Sequence, residues 1–158
     1  MAVALRRRPY DLFLVVWFSV FAFTSLVMEM YITFRVDLAS SCDPFGRVWF
    51  WYAASFDPIF LDPPPFLWLM CTIDGFVFGP FYLVLIYAFA RECAWIRGPA
   101  LLYAGAIVYS TVVYFGVEFL TELERADIFW VVVINIPYTI VPILLALRVR
   151  SRPVFRAD

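Results

Sequence analysis

The chain is 158 residues long, carries a net charge of −1 and is 65% hydrophobic, with a mean hydropathy of +0.86. Soluble domains are roughly 45–50% apolar; a water-soluble domain this small could not hide the surplus, so lipid is the expected solvent. There is no histidine, and Cys42, Cys71 and Cys93 lie outside any C-x-x-C spacing, so no metal site and no cofactor is expected, and the absence of glycine-rich phosphate loops or a basic aromatic patch excludes nucleotide and nucleic-acid partners.

In chain order, Arg6, Arg7 and Arg8 precede the first apolar stretch, 11–34. Its charged start resembles a signal peptide, but its length and the lack of a small-residue cleavage site predict a retained helix. This span carries one embedded acid, Glu29, in "LVMEMYITF". The loop that follows, 35–65, is aromatic-rich at "GRVWFWYAASF", which predicts a short helix lying at the interface. The proline-dense "DPIFLDPPPF" cannot continue as regular helix and is expected to fold back as a cap over the bundle mouth.

The second span, 66–90, is oil except for Asp74. Gly75 and Gly79 form a G-x-x-x-G pair that permits close helix approach, and Pro80 frees the carbonyl of Phe76. The third span, 98–120, brings Glu118 near its end. After "TELERAD" the fourth, 127–148, holds Asn135 between apolar neighbours and carries Pro137 and Pro142. Four stretches of about 20 apolar residues make one all-α, polytopic membrane domain, a four-transmembrane-helix bundle over 1–158.

All twelve basic residues are arginines; nine lie in the N-terminal tail, the 91–97 loop and the C-terminal tail, against three (Arg35, Arg47, Arg125) on the other side. The positive-inside rule therefore puts both termini in the cytoplasm. The 35–65 loop then faces the extracellular or lumenal side. At 1.5 Å per residue, Asp74 and Asn135 lie about 12 Å below that surface and Glu29 about 7–8 Å. The embedded polar groups of note thus share the outer half, and the cytoplasmic half is expected to hold none.

Each buried carboxylate costs about 2.5–3.5 kcal/mol on insertion scales, so several at one depth point to a site. Ionised together they would repel, so one is expected to hold a proton. The alternative for each acid alone is structural: Asp74 as a hydrogen bond between helices, Glu29 snorkelling to water. Such a cluster suits a ligand amine or hydroxyl, and inward-facing aromatics suit a flat fused-ring skeleton.

The stretches "WYAASFDPIFLDPPPFLWLMCTIDGFVFGPF", "YAFARECAWIRGPALLYA" and "PYTIVP" together resemble the sigma-2 receptor (transmembrane protein 97) family. That family belongs to the EXPERA-domain group, with emopamil-binding protein, a sterol isomerase. The resemblance implies a four-helix EXPERA bundle with cytoplasmic termini and a pocket opening toward the membrane for sterol-like lipids and cationic amphiphiles. It implies Glu29, Asp57, Asp74 and Asn135 as ligand-binding residues, with Glu29 contacting the amine. Glu29 stands where the family carries Asp, Asp74 where the receptor has Glu, and Asn135 in place of a tyrosine.

A sterol or isoprenoid isomerase holding a carbocation between carboxylates is the alternative, with Glu29 and Asp74 as candidate catalytic groups. The missing histidine disfavours it, since that branch works with His and Glu pairs. A third reading is a structural partner, or a homodimer, using the G-x-x-x-G face. The membrane is expected to be the endoplasmic reticulum if the source is eukaryotic and the plasma membrane if it is bacterial.

Overall fold

The computed structural model describes residues 4–151 and 153–155; Arg152 and Arg156 of the arginine count lie outside the described residues. Five long helices are present among the described residues: α1 (Pro9–Thr33), α2 (Pro44–Ser55), α3 (Pro65–Arg91), α4 (Ala94–Thr121) and α5 (Ile128–Val149). All but α2 are long and apolar enough to cross a membrane, and no strand occurs among the described residues. The all-helical, multi-pass class expected from the sequence is the class found.

The helix starts differ from expectation for local reasons. Proline is tolerated in a first turn, where its missing N–H would be unpaired anyway. Hence α1 begins at Pro9 rather than 11, and α4 begins with a 3₁₀ turn at Ala94–Ile96 that becomes α-helix at Arg97, two residues before Pro99. Asp43 starts α2, accepting hydrogen bonds from the backbone N–H of Phe45 (3.0 Å) and Gly46 (2.9 Å). The hydroxyls of Ser41 and Tyr31, followed by the Gly46 N–H, hold the Asp43 carboxyl well below its usual range. The proline stretch forms one 3₁₀ turn, Pro58–Phe60, and helix resumes only at Pro65.

The spans pack as two pairs. Phe18, Phe21 and Ala22 of α1 meet Tyr82, Leu85 and Phe89 of α3, and Ala100, Tyr103 and Ile107 of α4 meet Val141, Leu145 and Val149 of α5. Aromatic rings join the pairs: Phe21 stacks on Tyr138 at 4.2 Å, and Tyr82 meets Tyr103 edge-on at 5.5 Å. This core fills the end of the bundle that bears the termini. A second cluster fills the loop end, where Tyr52, Ala53, Ile59 and Phe60 of the loop pack on Ile32, Leu67, Tyr114 and Val131.

The expectation that embedded polar groups avoid the terminal half fails at Asp11. It is 2% exposed and receives Arg148 Nε at 2.8 Å and Arg8 Nη1 at 2.9 Å. Arg148 also donates to the Val154 carbonyl and lies over the Phe155 ring. A carboxylate in the first turn of a helix suits the dipole, and its partner stands 137 positions away, beyond the reach of any local spacing.

Candidate ligand-binding site

Two helices lose their regularity at the same level. In α1 the segment Thr24–Met28 is a π turn, closed by the Glu29 N–H on the Thr24 carbonyl, five residues back. In α3 the segment Asp74–Phe78 is another, closed by the Gly79 N–H on the Asp74 carbonyl. A π turn adds a residue and so rotates everything beyond it by about 100°. The two turns face each other. Glu29 directly follows the first and Asp74 opens the second.

Glycine allows this approach. A Cβ on Gly75 would come within 2.5 Å of the Met30 Cε, and one on Gly79 within 2.7 Å of Leu26 Cδ2. Pro80 sits just beyond the second turn, so α3 resumes with a residue that needs no N–H partner.

In α5 the break falls at Ile136, between Ile128–Asn135 and Pro137–Val149, whereas Pro142 lies inside continuous helix. The backbone acceptor that Pro142 leaves free, the Tyr138 carbonyl, takes a long 3.4 Å hydrogen bond from Thr111 of α4.

The acids sort into two groups. In the first, Asp74, 8% exposed, accepts hydrogen bonds from Ser25 Oγ and from Tyr82 Oη at 3.4 Å. The half-buried Glu29 carboxyl faces it at hydrogen-bonding range. Beside them the hydroxyls of Thr24 and Tyr138 are hydrogen-bonded to each other. Two ionised carboxylates in such contact would repel; one proton between them makes the contact a hydrogen bond.

The second group lies under the loop. Asp57 is fully buried and its Oδ2 accepts from Tyr52 (3.1 Å) and Tyr114. Asn135 Nδ2 donates to Tyr52 Oη at 3.0 Å, completing the chain Asn135, Tyr52, Asp57. Burial pushes the Asp57 carboxyl up to about 6, the two tyrosine hydroxyls pull it partly back, and the Glu122 carboxylate adds to the rise. Burial, followed by Asp57, raises the Tyr52 phenol. Glu118, 1% exposed, has no hydrogen-bond partner among the described residues.

Between the two hydrophobic clusters lies a cavity of about 530 Å³. Glu29, Asp74 and Tyr138 line one side; Tyr52, Tyr114 and Asn135 line the other, and Trp49, Tyr52 and Phe60 bring the loop over it. Asp57 stands one layer behind, reaching the cavity through its tyrosines. Among the described residues, Glu29 and Asp74 are the charged lining residues and no arginine lines the space. Leu69 and Ile73 of α3 and Tyr109 and Val113 of α4 line it while also facing outward, which opens the space sideways between those helices.

Of the polar groups here, Ser25, Tyr52, Tyr82, Tyr114 and Tyr138 carry no signal as single residues. Ser25, Tyr114 and Tyr138 could have been found, because they lie four residues before Glu29, four before Glu118 and three after Asn135, on the same helix faces.

The sequence pattern of the EXPERA (expanded EBP superfamily) family matches residues 44–149. The chain is also similar to the sigma intracellular receptor 2 of Xenopus tropicalis, 29% identical over 119 residues, covering 68% of this chain and 70% of that one.

Proposed function

The chain belongs to the EXPERA superfamily, and from that premise we propose that it is a membrane-embedded binding protein for sterol-like lipids and cationic amphiphiles. The observation that carries this reading is the Glu29–Asp74 pair opening into a cavity lined mostly by apolar and aromatic side chains. A flat apolar skeleton fills the space and excludes water, and an amine or hydroxyl at its end meets the acids. The pair that shares one proton carries a single negative charge, and an incoming ammonium neutralises it without a proton having to leave. Desolvated at this depth, it also gains from the ring of Tyr138 on the same side of the cavity. Ser25 and Tyr82 fix the Asp74 carboxyl from behind, which leaves Glu29 as the acid that meets the ligand. Asp57 and Asn135 act through Tyr52, holding the loop against α4 and α5 and so shaping the far wall.

Both termini are placed in the cytoplasm, on the support of the nine-to-three arginine split. Ligand then enters sideways from the bilayer between α3 and α4, under the loop. The test is the affinity of the purified protein for a cationic amphiphile against a neutral one of the same skeleton. Preference for the cation by tenfold or more is expected, and equal affinity would remove the acid pair from the site.

A further inference from the structure

We propose that a groove on the outer face of the α4–α5 pair, at the terminal end of the bundle, binds a membrane phospholipid by its anionic headgroup and one acyl chain. The groove has a volume of about 440 Å³ and lies away from the cavity. Its floor is shallow in side chain: Ala104 and Gly105 of α4 lie opposite Ala146 and Leu147 of α5. A Cβ on Gly105 would meet nothing within 4 Å, so the missing side chain leaves open space rather than a helix contact. From Leu101 to Val108 the groove runs about 10 Å along α4, against the roughly 15 Å thickness of one hydrocarbon leaflet. One acyl chain lies along it from the headgroup side.

Charge identifies the head. Arg150 closes the terminal end of the groove, and Arg97, behind it, donates from Nη2 to the Arg150 carbonyl at 2.9 Å, which puts a second positive charge against the main chain that carries Arg150. Neither makes an ion pair with a carboxylate among the described residues, and the Arg97 Nε is buried without a partner. Trp95, 57% exposed in the turn that opens α4, suits the level of the lipid headgroups. Arg150 at the groove's end, with Arg97 behind it, matches a phosphate carrying net negative charge above an apolar channel. A second copy of the chain fits less well. A two-fold axis along the membrane normal would bring its own Arg97 and Arg150 to the same level, like charge against like.

The test is native mass spectrometry of the full chain in mild detergent with phosphatidylglycerol and phosphatidylcholine at equal concentration. Wild type is expected to retain phosphatidylglycerol at least fivefold over phosphatidylcholine, since each arginine near a membrane surface is worth roughly fivefold for an anionic lipid. The double variant R97Q/R150Q, which keeps side-chain donors, is expected to reach parity. Gly105→Leu is expected to lower retention of both lipids. Parity in wild type, or a preference unchanged in R97Q/R150Q, would overturn the proposal. So would a Gly105→Leu variant that dissociates a dimer while retaining lipid as before, because the groove would then hold a second copy. The arginine arm remains decisive if Gly105→Leu does not fold.

Discussion

Asp57 carries a pH signature that distinguishes a buried loop anchor from a surface charge. Its folded-state value of about 6 lies above the ordinary 3.8, so between those values the folded protein keeps a proton that the unfolded chain has released. Stability from this group is complete below about 4 and declines as pH rises through 6, by roughly 2–3 kcal/mol. Asp57→Asn, neutral throughout, is expected to remove that decline. Asp57→Ala leaves the Tyr52 and Tyr114 hydroxyls without their acceptor and is expected to lower the melting temperature at every pH, at roughly 1–3 kcal/mol per orphaned group. Melts of the variants between pH 4 and 7 check this. The difference between wild type and Asp57→Asn separates Asp57 from neighbouring Glu118 and Glu122, and an identical slope in both would contradict the assignment. Glu29 and Asp74 were legible because an acid in an apolar run is costly and stands out against its neighbours. The phenols that engage the acids were not, because tyrosine is ordinary in a membrane helix and its role comes from partners far along the chain. Asp11 was misjudged for the same reason: its partner Arg148 belongs to another helix.

At the scale of elements, two π turns interrupt α1 and α3 at the level of the acids. Proline marks where a helix can be interrupted, but an extra residue in a turn has no composition of its own, so the sequence yields the neighbourhood of the irregularity and not its form. Gly75 and Gly79 were readable because a G-x-x-x-G pair has few uses in a bilayer. The α1–α3 contact at Gly79 is close enough that a leucine there must displace Leu26, a strain of roughly 1–3 kcal/mol. Val77, two residues away on the other side of the helix and 57% exposed, has room. Gly79→Leu is therefore expected to lower the detergent melting temperature clearly, and Val77→Leu to stay within about 0.5 kcal/mol of wild type. Equal effects would mean that the two turns are not held together at this glycine.

For the whole molecule, the cavity exists because the two helix pairs close on aromatic rings at one end and on the loop at the other, with nothing filling the level between. The four spans and the role of the loop as cap followed from hydrophobic runs and proline density. The sideways opening could not, since it depends on which faces of α3 and α4 are left apart. Orientation has native reporters: Cys42 is exposed on the loop side and Cys93 lies at the other end, between α3 and α4. An impermeant thiol reagent applied from the cytoplasm is expected to label Cys93 and spare Cys42, and the reverse pattern would invert the topology. The central claim is that the acid pair in this cavity receives a ligand's positive charge, and it is tested most directly by the affinity of Glu29→Gln for the cationic amphiphile and its neutral counterpart. Losing a charge-assisted hydrogen bond costs about 1.5–3 kcal/mol, so Kd for the cation is expected to rise roughly ten- to a hundredfold while the neutral compound binds as before. A folded Glu29→Gln protein that binds the cation with wild-type affinity would contradict the account.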